Sequence, residues 1–343
     1  MLKSKKNPIY FIAEVGSNHE GNFKEAIRIV KNCIKSKADC VKIQIFNPQN
    51  LVSKKYDFER YNHFNKLQLS VDEYFKIAEI CKKSDKDFSA SIWDKNLIHP
   101  FKKYVKFYKV GSGDLTNYEI IYEIIKTKKP IVLSVGLSNF NEIRKVLNFI
   151  KNIDISYTRK NKISLLHCNT SYPTPLKDSR LFFINHLKRI FKVQVGYSDH
   201  TVGIKTILNS YNFGAKIIEK HYSLNPKKKS FRDHLISCTN QNINDFFSEI
   251  KFKNLKISKN TKAKSFKKTI SKSEKRQNNL YSFRRSLYLS RDIKKGEKLN
   301  SFNLISLRPQ EGICASKYFL FKGKKISKNL TSGTLLNKSH ILK

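Results

Sequence analysis

From residue 9 to about residue 250 the chain alternates short apolar runs with longer stretches in which apolar side chains recur every three or four positions. Short apolar runs closed by turn residues predict strands buried on both faces, and the 3.6-residue rhythm between them predicts helices that cover those faces. Eight runs fit the strand pattern: 10–15, 40–46, 87–92, 107–110, 131–135, 163–168, 193–197 and 216–222. The helical rhythm is clearest at 23–35, 71–83, 118–126, 140–150 and 201–212. Eight strand-helix units of this size predict a (β/α)8 TIM barrel spanning 1–252, of the α/β class. At 253–282 Lys, Ser, Asn and Thr replace the large apolar residues, which predicts a linker or a poorly packed exposed helix. Short apolar runs return at 286–290, 304–307 and 333–336, with a turn at 294–297, so 283–343 reads as a small, mostly-β domain that packs on a barrel.

Charge adds a second layer. The chain carries 68 Lys+Arg against 27 Asp+Glu, a formal net charge of +41. Such a field attracts anions, and one alternative is a non-catalytic nucleic-acid-binding protein. Lysine is spread along the whole chain together with many Asn and Ile, so the excess reads as solvated surface, and nucleic acid is not the expected partner. Six cysteines (Cys33, Cys40, Cys81, Cys168, Cys238, Cys314) show no paired short spacing, which fits a reducing, cytoplasmic setting. The basic start is followed by an apolar stretch that soon meets Glu14, so neither a signal peptide nor a membrane span is expected.

Barrel enzymes work at the C-terminal ends of their strands. Those exits are polar here, and the last two deliver His200 and His221, each with an acidic residue within two positions (Asp199, Glu219). Two imidazoles at consecutive exits can share a divalent ion, and so few protein ligands leave positions open for water and substrate oxygens, which suits Mn²⁺ or Mg²⁺ as a Lewis acid. Lys42, Lys109, Ser112, Ser134, Asn169 and Ser198 stand at or near other exits and offer ammonium, hydroxyl and amide donors to a phosphate or carboxylate. An ammonium inside an apolar strand needs compensation, and an anionic ligand would supply it. Glu14 and Asp114 are candidate acid/base or hydroxyl-binding carboxylates, with ion pairs to nearby lysines as the plainer alternative. Gln44, Tyr172 and Asp233 can bind hydroxyls of a polar substrate.

The segments IAEVGSNHEGN (12–22), DCVKIQIF (39–46), YKVGSGDLTNY (108–118), HCNTSYPTP (167–175), GYSDHTVGI (196–204) and EKHYSL (219–224) resemble the sialic acid (N-acetylneuraminate) synthases. RRSLYLSRDIKKGEKL (284–299) and SLRPQEGI (306–313) resemble that family's antifreeze-like SAF domain. The resemblance implies metal-dependent condensation of phosphoenolpyruvate with an N-acetylated hexosamine, N-acetylmannosamine first among them, giving a nonulosonic acid and phosphate. A legionaminate or pseudaminate synthase with another N-acetyl sugar is the alternative. It further implies that Lys42, Ser91, Lys109, Ser112, Ser134, Asn169 and Ser198 bind phosphoenolpyruvate, that Gln44, Asp114, Tyr172 and Asp233 face the sugar, and that His200 and His221 hold the metal. It also implies a domain-swapped homodimer in which Arg308 reaches the partner's barrel. Beside the family's pattern, 47–69 is short and altered, the loop before Asp233 is more basic, and Gln310-Glu311 sets a new carboxylate close to Arg308 in sequence.

Overall fold

The computed structural model describes residues 2–252 and 267–342. Strands β1 (Tyr10–Gly16), β2 (Cys40–Ile45), β3 (Asp87–Ile92), β4 (Phe107–Val110), β5 (Ile131–Ser134), β6 (Ile163–Cys168), β7 (Gln194–Asp199) and β8 (Ile217–His221) pair in parallel in chain order, and β8 closes on β1. This is the TIM barrel that the strand-helix alternation predicts. The helix Phe23–Ile34 buries Ala26, Ile29, Val30 and Cys33, the i, i+3, i+4, i+7 stripe, and Asn22 caps it by accepting from the Glu25 amide. The helix expected at 201–212 begins only at Lys205. Its first residues are held otherwise: the Thr201 amide and hydroxyl both donate to the Asp199 carboxylate, and Gly203 lies at φ +74°.

Inside the barrel the period-2 alternation of the strands sorts side chains into layers. Tyr10, Ile12, Cys40, Phe107, Val132, Leu166 and Ile217 form an apolar floor, joined by Leu2. Two residues further along the same inward faces stand Glu14, Lys42, Lys109, Ser134, Cys168 and Glu219, which line a cavity. The residues between them, such as Ala13, Val41, Tyr108, Leu133, Leu165 and Ile218, point outward into the core shared with the helices. The strands therefore carry an apolar outer wall, an apolar floor and a polar chamber.

Close strand approach at β7 depends on Gly196, where a Cβ would lie 2.1 Å from the Ile217 carbonyl oxygen and 2.7 Å from Leu166 Cδ2. Gly196→Ala is expected to cost about 1–3 kcal/mol through overpacking. Urea denaturation reads this as a lower midpoint at an unchanged slope.

The C-terminal domain pairs β9 (Ser286–Leu289) with β10 (Leu304–Leu307) in antiparallel register around Leu287, Leu289, Ile293, Leu299, Leu304 and Leu336. The run at 333–336 contributes an isolated bridge from Leu335 to Tyr288. Residues 253–266 of the expected linker lie outside the described residues. The stretch 267–283 does hold two short helices, Lys272–Arg276 and Asn279–Phe283, but it is not poorly packed, because its polar side chains fasten it over the exits of β4, β5 and β6. Lys268 Nζ donates to the Val135 and Ser138 carbonyls at 2.6 and 2.7 Å, and the Glu274 carboxylate accepts from the Leu137 and Thr170 amides at 3.1 and 3.0 Å. Asn279 Nδ2 donates to the Thr170 carbonyl, and at Gly113 a Cβ would meet the Phe283 carbonyl oxygen at 2.5 Å, so the strap lies directly on the barrel. A strap rich in Ser, Lys and Asn packs because it satisfies strand-end amides and carbonyls rather than by burying apolar surface. Among the described residues no helix is long and apolar enough to cross a membrane. All six cysteines are free thiols.

Candidate active site

The polar chamber opens at the C-terminal ends of the strands, and its innermost layer is a four-membered charge cluster. Lys42 forms an ion pair with Glu14 and lies 3.3 Å from Glu219, which is also 3.3 Å from Lys109. All four are almost completely buried. The expectation that a bound anion compensates the lysines is thus corrected: two carboxylates from neighbouring strands already do so. Hydroxyls complete the cluster, with Lys109 Nζ donating to Ser134 Oγ at 2.7 Å and Lys42 Nζ to Ser91 Oγ at 3.2 Å. Gln44 Nε2 donates to Glu14 Oε1 at 3.1 Å.

Burial opposes charge on every member, and the neighbours decide the outcome. Burial, reinforced by repulsion from Glu219, raises the Glu14 carboxyl above the usual range despite the opposing pull of Lys42. Burial would also raise Glu219, but Lys109 and Lys42 outweigh it and hold that carboxyl low. Burial lowers Lys109, whereas Glu14 and Glu219 together overcome burial at Lys42 and raise it. Near neutral pH the cluster therefore holds one carboxyl poised to carry a proton beside one that stays ionised.

On the adjoining wall the His200 and His221 rings stand with centroids 5.6 Å apart, both facing the chamber. His200 Nδ1 lies 2.7 Å from the Asn169 carbonyl oxygen; because a carbonyl only accepts, that nitrogen carries the hydrogen and Nε2 keeps its lone pair. His221 Nδ1 is buried without a hydrogen-bond partner and lies 3.7 Å from Asp233 Oδ2. Burial keeps both imidazoles neutral, at about 4 for His200 and about 3 for His221, with like charge from neighbours adding to the effect. Neutral imidazoles with a fixed tautomer and an orphaned nitrogen are the donor set a divalent ion requires, so the residues present fit such an ion. Among the described residues no group of three or more His, Cys, Asp and Glu forms a complete cage.

The outer chamber carries the candidates for the sugar side. Asp114 accepts from Arg285 Nε at 2.7 Å and from Arg308 Nη2 at 3.4 Å. The Arg308 guanidinium stacks 4.8 Å from the Trp93 ring, and its Nε and Nη1 are buried without hydrogen-bond partners. Tyr172 packs 4.2 Å from the His200 ring and lies beneath the Arg232 guanidinium at 4.7 Å. Ser112, Ser198 and Asp233 also line the chamber.

One expected site residue, Asn169, does not line it. The side chain is buried, but its Nδ2 donates to Ser271 Oγ and the Asp178 carbonyl, so the amide holds the strap while the backbone oxygen orients His200. Glu311 is exposed, with its amide donating to Ser286 Oγ, and places no carboxylate in the chamber. Arg308, expected in a partner's barrel, enters the mouth of its own: its amide donates to the Leu51 carbonyl and its carbonyl accepts from Ser53.

A family model described as the NeuB family matches residues 29–264, and a SAF domain model matches 284–342. The chain belongs to the NeuB family. It is 34% identical to the N,N'-diacetyllegionaminic acid synthase of Campylobacter jejuni over 95% of this chain and 98% of that protein. Among solved structures, the N-acetylneuraminic acid synthetase of Leptospira borgpetersenii, in complex with citrate, is 26% identical with a TM-score of 0.65, covering 80% of this chain and 91% of that one. The spore coat polysaccharide biosynthesis protein spsE of Bacillus subtilis shares the fold at a TM-score of 0.80 and 21% identity, covering 99% of this chain and 97% of that one.

Within this NeuB-family chamber, several lining residues escape a reading of the sequence. Glu219 stands out there only as a neighbour of His221, yet strand alternation places residues two apart on one face, so its position inside the barrel is open to inference. Arg60, Arg232 and Phe283 come from a helix, a single 3-10 turn and the strap, and carry no periodic signal that marks them as chamber residues.

Proposed function

We propose that this chain is a divalent-metal-dependent synthase that condenses phosphoenolpyruvate with an open-chain N-acetylated hexosamine, N-acetylmannosamine first, to give a nonulosonic acid and phosphate. The observation that carries the reading is the pair of neutral imidazoles beside the Lys42–Glu14–Glu219–Lys109 cluster in a single chamber. Lys42 and Lys109, with the hydroxyls of Ser91, Ser112, Ser134 and Ser198, bind the phosphate and carboxylate of phosphoenolpyruvate. In the reaction C3 of the enol ester attacks the aldehyde carbon, water adds at C2, and C–O cleavage releases phosphate. Water addition sheds a proton and the new hydroxyl gains one. Glu219, held ionised, is the acceptor, and Glu14, raised to about 7 and so able to carry a proton near neutral pH, is the donor. Mn²⁺ or Mg²⁺ held by His200 and His221 supplies Lewis-acid polarisation of the aldehyde. Gln44, Asp114, Tyr172, Asp233 and Arg308 orient the sugar, and the unpartnered Arg308 donors match its carbonyl and hydroxyl oxygens.

The test is release of inorganic phosphate from phosphoenolpyruvate with Mn²⁺ and a panel of N-acetyl sugars. Release is expected only when sugar and metal are both present, and is expected to stop on chelation with EDTA. Absence of release with every sugar in the panel would overturn the reading. Arg308→Ala is expected to raise the KM for the sugar roughly tenfold or more while leaving that for phosphoenolpyruvate nearly unchanged; equal effects on both substrates would contradict its placement.

A second sugar reading is favoured by the 34% identity to the Campylobacter legionaminic acid synthase and by the apolar outer lining from Phe64, Leu67, Trp93, Phe231 and Phe283. A substrate with two acetamido groups presents methyl groups to such walls. Comparing kcat/KM for a mono- and a diacetamido hexose decides between them.

A further inference from the structure

We propose that the ion pair between Lys220 and Asp199 is the positioning element that sets the spacing of His200 and His221, and through it the affinity for a divalent ion. This inference rests on the metal reading above. The two residues are register partners on β8 and β7, and each stands immediately before one of the histidines. Neither lines the chamber. They point the other way, into the outer wall of the barrel, where Lys220 is 0% and Asp199 1% exposed.

Lys220 Nζ donates at 2.5 Å to Asp199 Oδ2 and at 2.5 Å to the Thr201 carbonyl oxygen. One ammonium therefore holds the Asp199 side chain on one side of His200 and the Thr201 backbone on the other, while its own next residue is His221. The carboxylate closes the arrangement by accepting from the Thr201 amide at 3.0 Å and hydroxyl at 3.1 Å. That hydroxyl also bonds Thr206 Oγ1 at 3.0 Å, tying the unit to the helix Lys205–Asn212. This charged contact thus adds a side-chain tie between the two strand ends to the parallel ladder that pairs them.

Stability alone does not account for such a pair. The surrounding wall is apolar, with Val195, Tyr197, Ile218 and Tyr222 in the same core. Ions buried this deeply lose hydration that their mutual attraction only offsets, and apolar replacement of a whole pair is often neutral or stabilising. What the ionic version supplies is a directional, three-point hold on the peptide bearing His200. Groups that orient metal ligands from behind typically change metal affinity by about 10- to 100-fold when removed.

The experiment compares the full-length wild type with the double variant Lys220→Met/Asp199→Leu, which removes both charges together. Mn²⁺ binding is followed by the paramagnetic resonance signal of the free ion, alongside thermal unfolding, phosphoenolpyruvate binding and steady-state kinetics. The double variant is expected to fold and to keep its affinity for phosphoenolpyruvate. Its Mn²⁺ dissociation constant is expected to rise about 10- to 100-fold, and kcat to fall with it. A folded double variant with wild-type Mn²⁺ affinity would overturn the inference and leave the metal reading standing. A wild type that binds no Mn²⁺ would overturn both. Should the double variant not fold, the isosteric Asp199→Asn decides the matter: weaker Mn²⁺ binding supports the role, and unchanged binding removes it.

Discussion

His200→Ala or His221→Ala is expected to reduce metal-dependent phosphate release by roughly 1000-fold or more, the equivalent of about 4 kcal/mol of lost carbonyl polarisation. The two rings form a pair with centroids 5.6 Å apart on the chamber wall, so either substitution removes half of the nitrogen pair that would hold the ion. The fold should survive, because neither imidazole belongs to the apolar floor or the outer core. Far-UV circular dichroism and thermal unfolding check the fold, and phosphate release across a Mn²⁺ titration reads the loss. The decisive pattern is two folded, inactive variants that Mn²⁺ in excess does not restore. Two active ones would remove the metal from the proposal.

The largest effect on stability is expected at Asp114→Ala. Asp114 is the carboxylate between two buried guanidiniums, Arg285 and Arg308, and its removal strands both charges where the C-terminal domain meets the barrel. Breaking a buried pair from one side costs about 3–5 kcal/mol, and denaturant unfolding measures it directly. The pH dependence has a definite sign. Burial alone would raise the Asp114 carboxyl, but Arg285 and Arg308 outweigh it and depress it below the ordinary aspartate value. A depressed carboxyl contributes stability that is fully present above its unfolded value and is lost as pH falls through its folded one. The advantage of the wild type over Asp114→Asn should therefore be complete at neutral pH and shrink only in acid, below the ordinary value of 3.8. An advantage that instead faded between pH 6 and 8 would contradict the assignment.

The barrel was legible because strands buried on both faces leave short, nearly continuous apolar runs, and β3, β4 and β6 begin and end where those runs do. The chamber was legible for a related reason: a polar residue inside such a run needs a partner, and Lys42, Lys109, Glu14 and His221 are all of that kind, although the sequence could not say that Lys42 and Glu14 pair with each other. What escaped depends on contacts between distant segments. The strap at 267–282 looks like linker composition because its bonds run to backbone groups of strand ends more than a hundred residues away. Asn169 illustrates the same limit, since its position at a strand exit is correct while its amide is taken by Ser271. The start of the helix at Lys205 was hidden by the demand that Thr201 satisfy Asp199.

The apolar floor has a consequence for traffic. With Tyr10, Ile12, Phe107, Val132, Leu166 and Ile217 filling the lower barrel, water has no drain through the axis. Whatever enters or leaves the chamber must therefore use its opening at the C-terminal ends of the strands, where Arg60 and Arg232 pack on Phe283. On the proposed reaction, an enol ester seated against the lysines would lie behind any sugar that entered after it, so the smaller molecule would enter first and the larger product would have to leave before its place could be refilled.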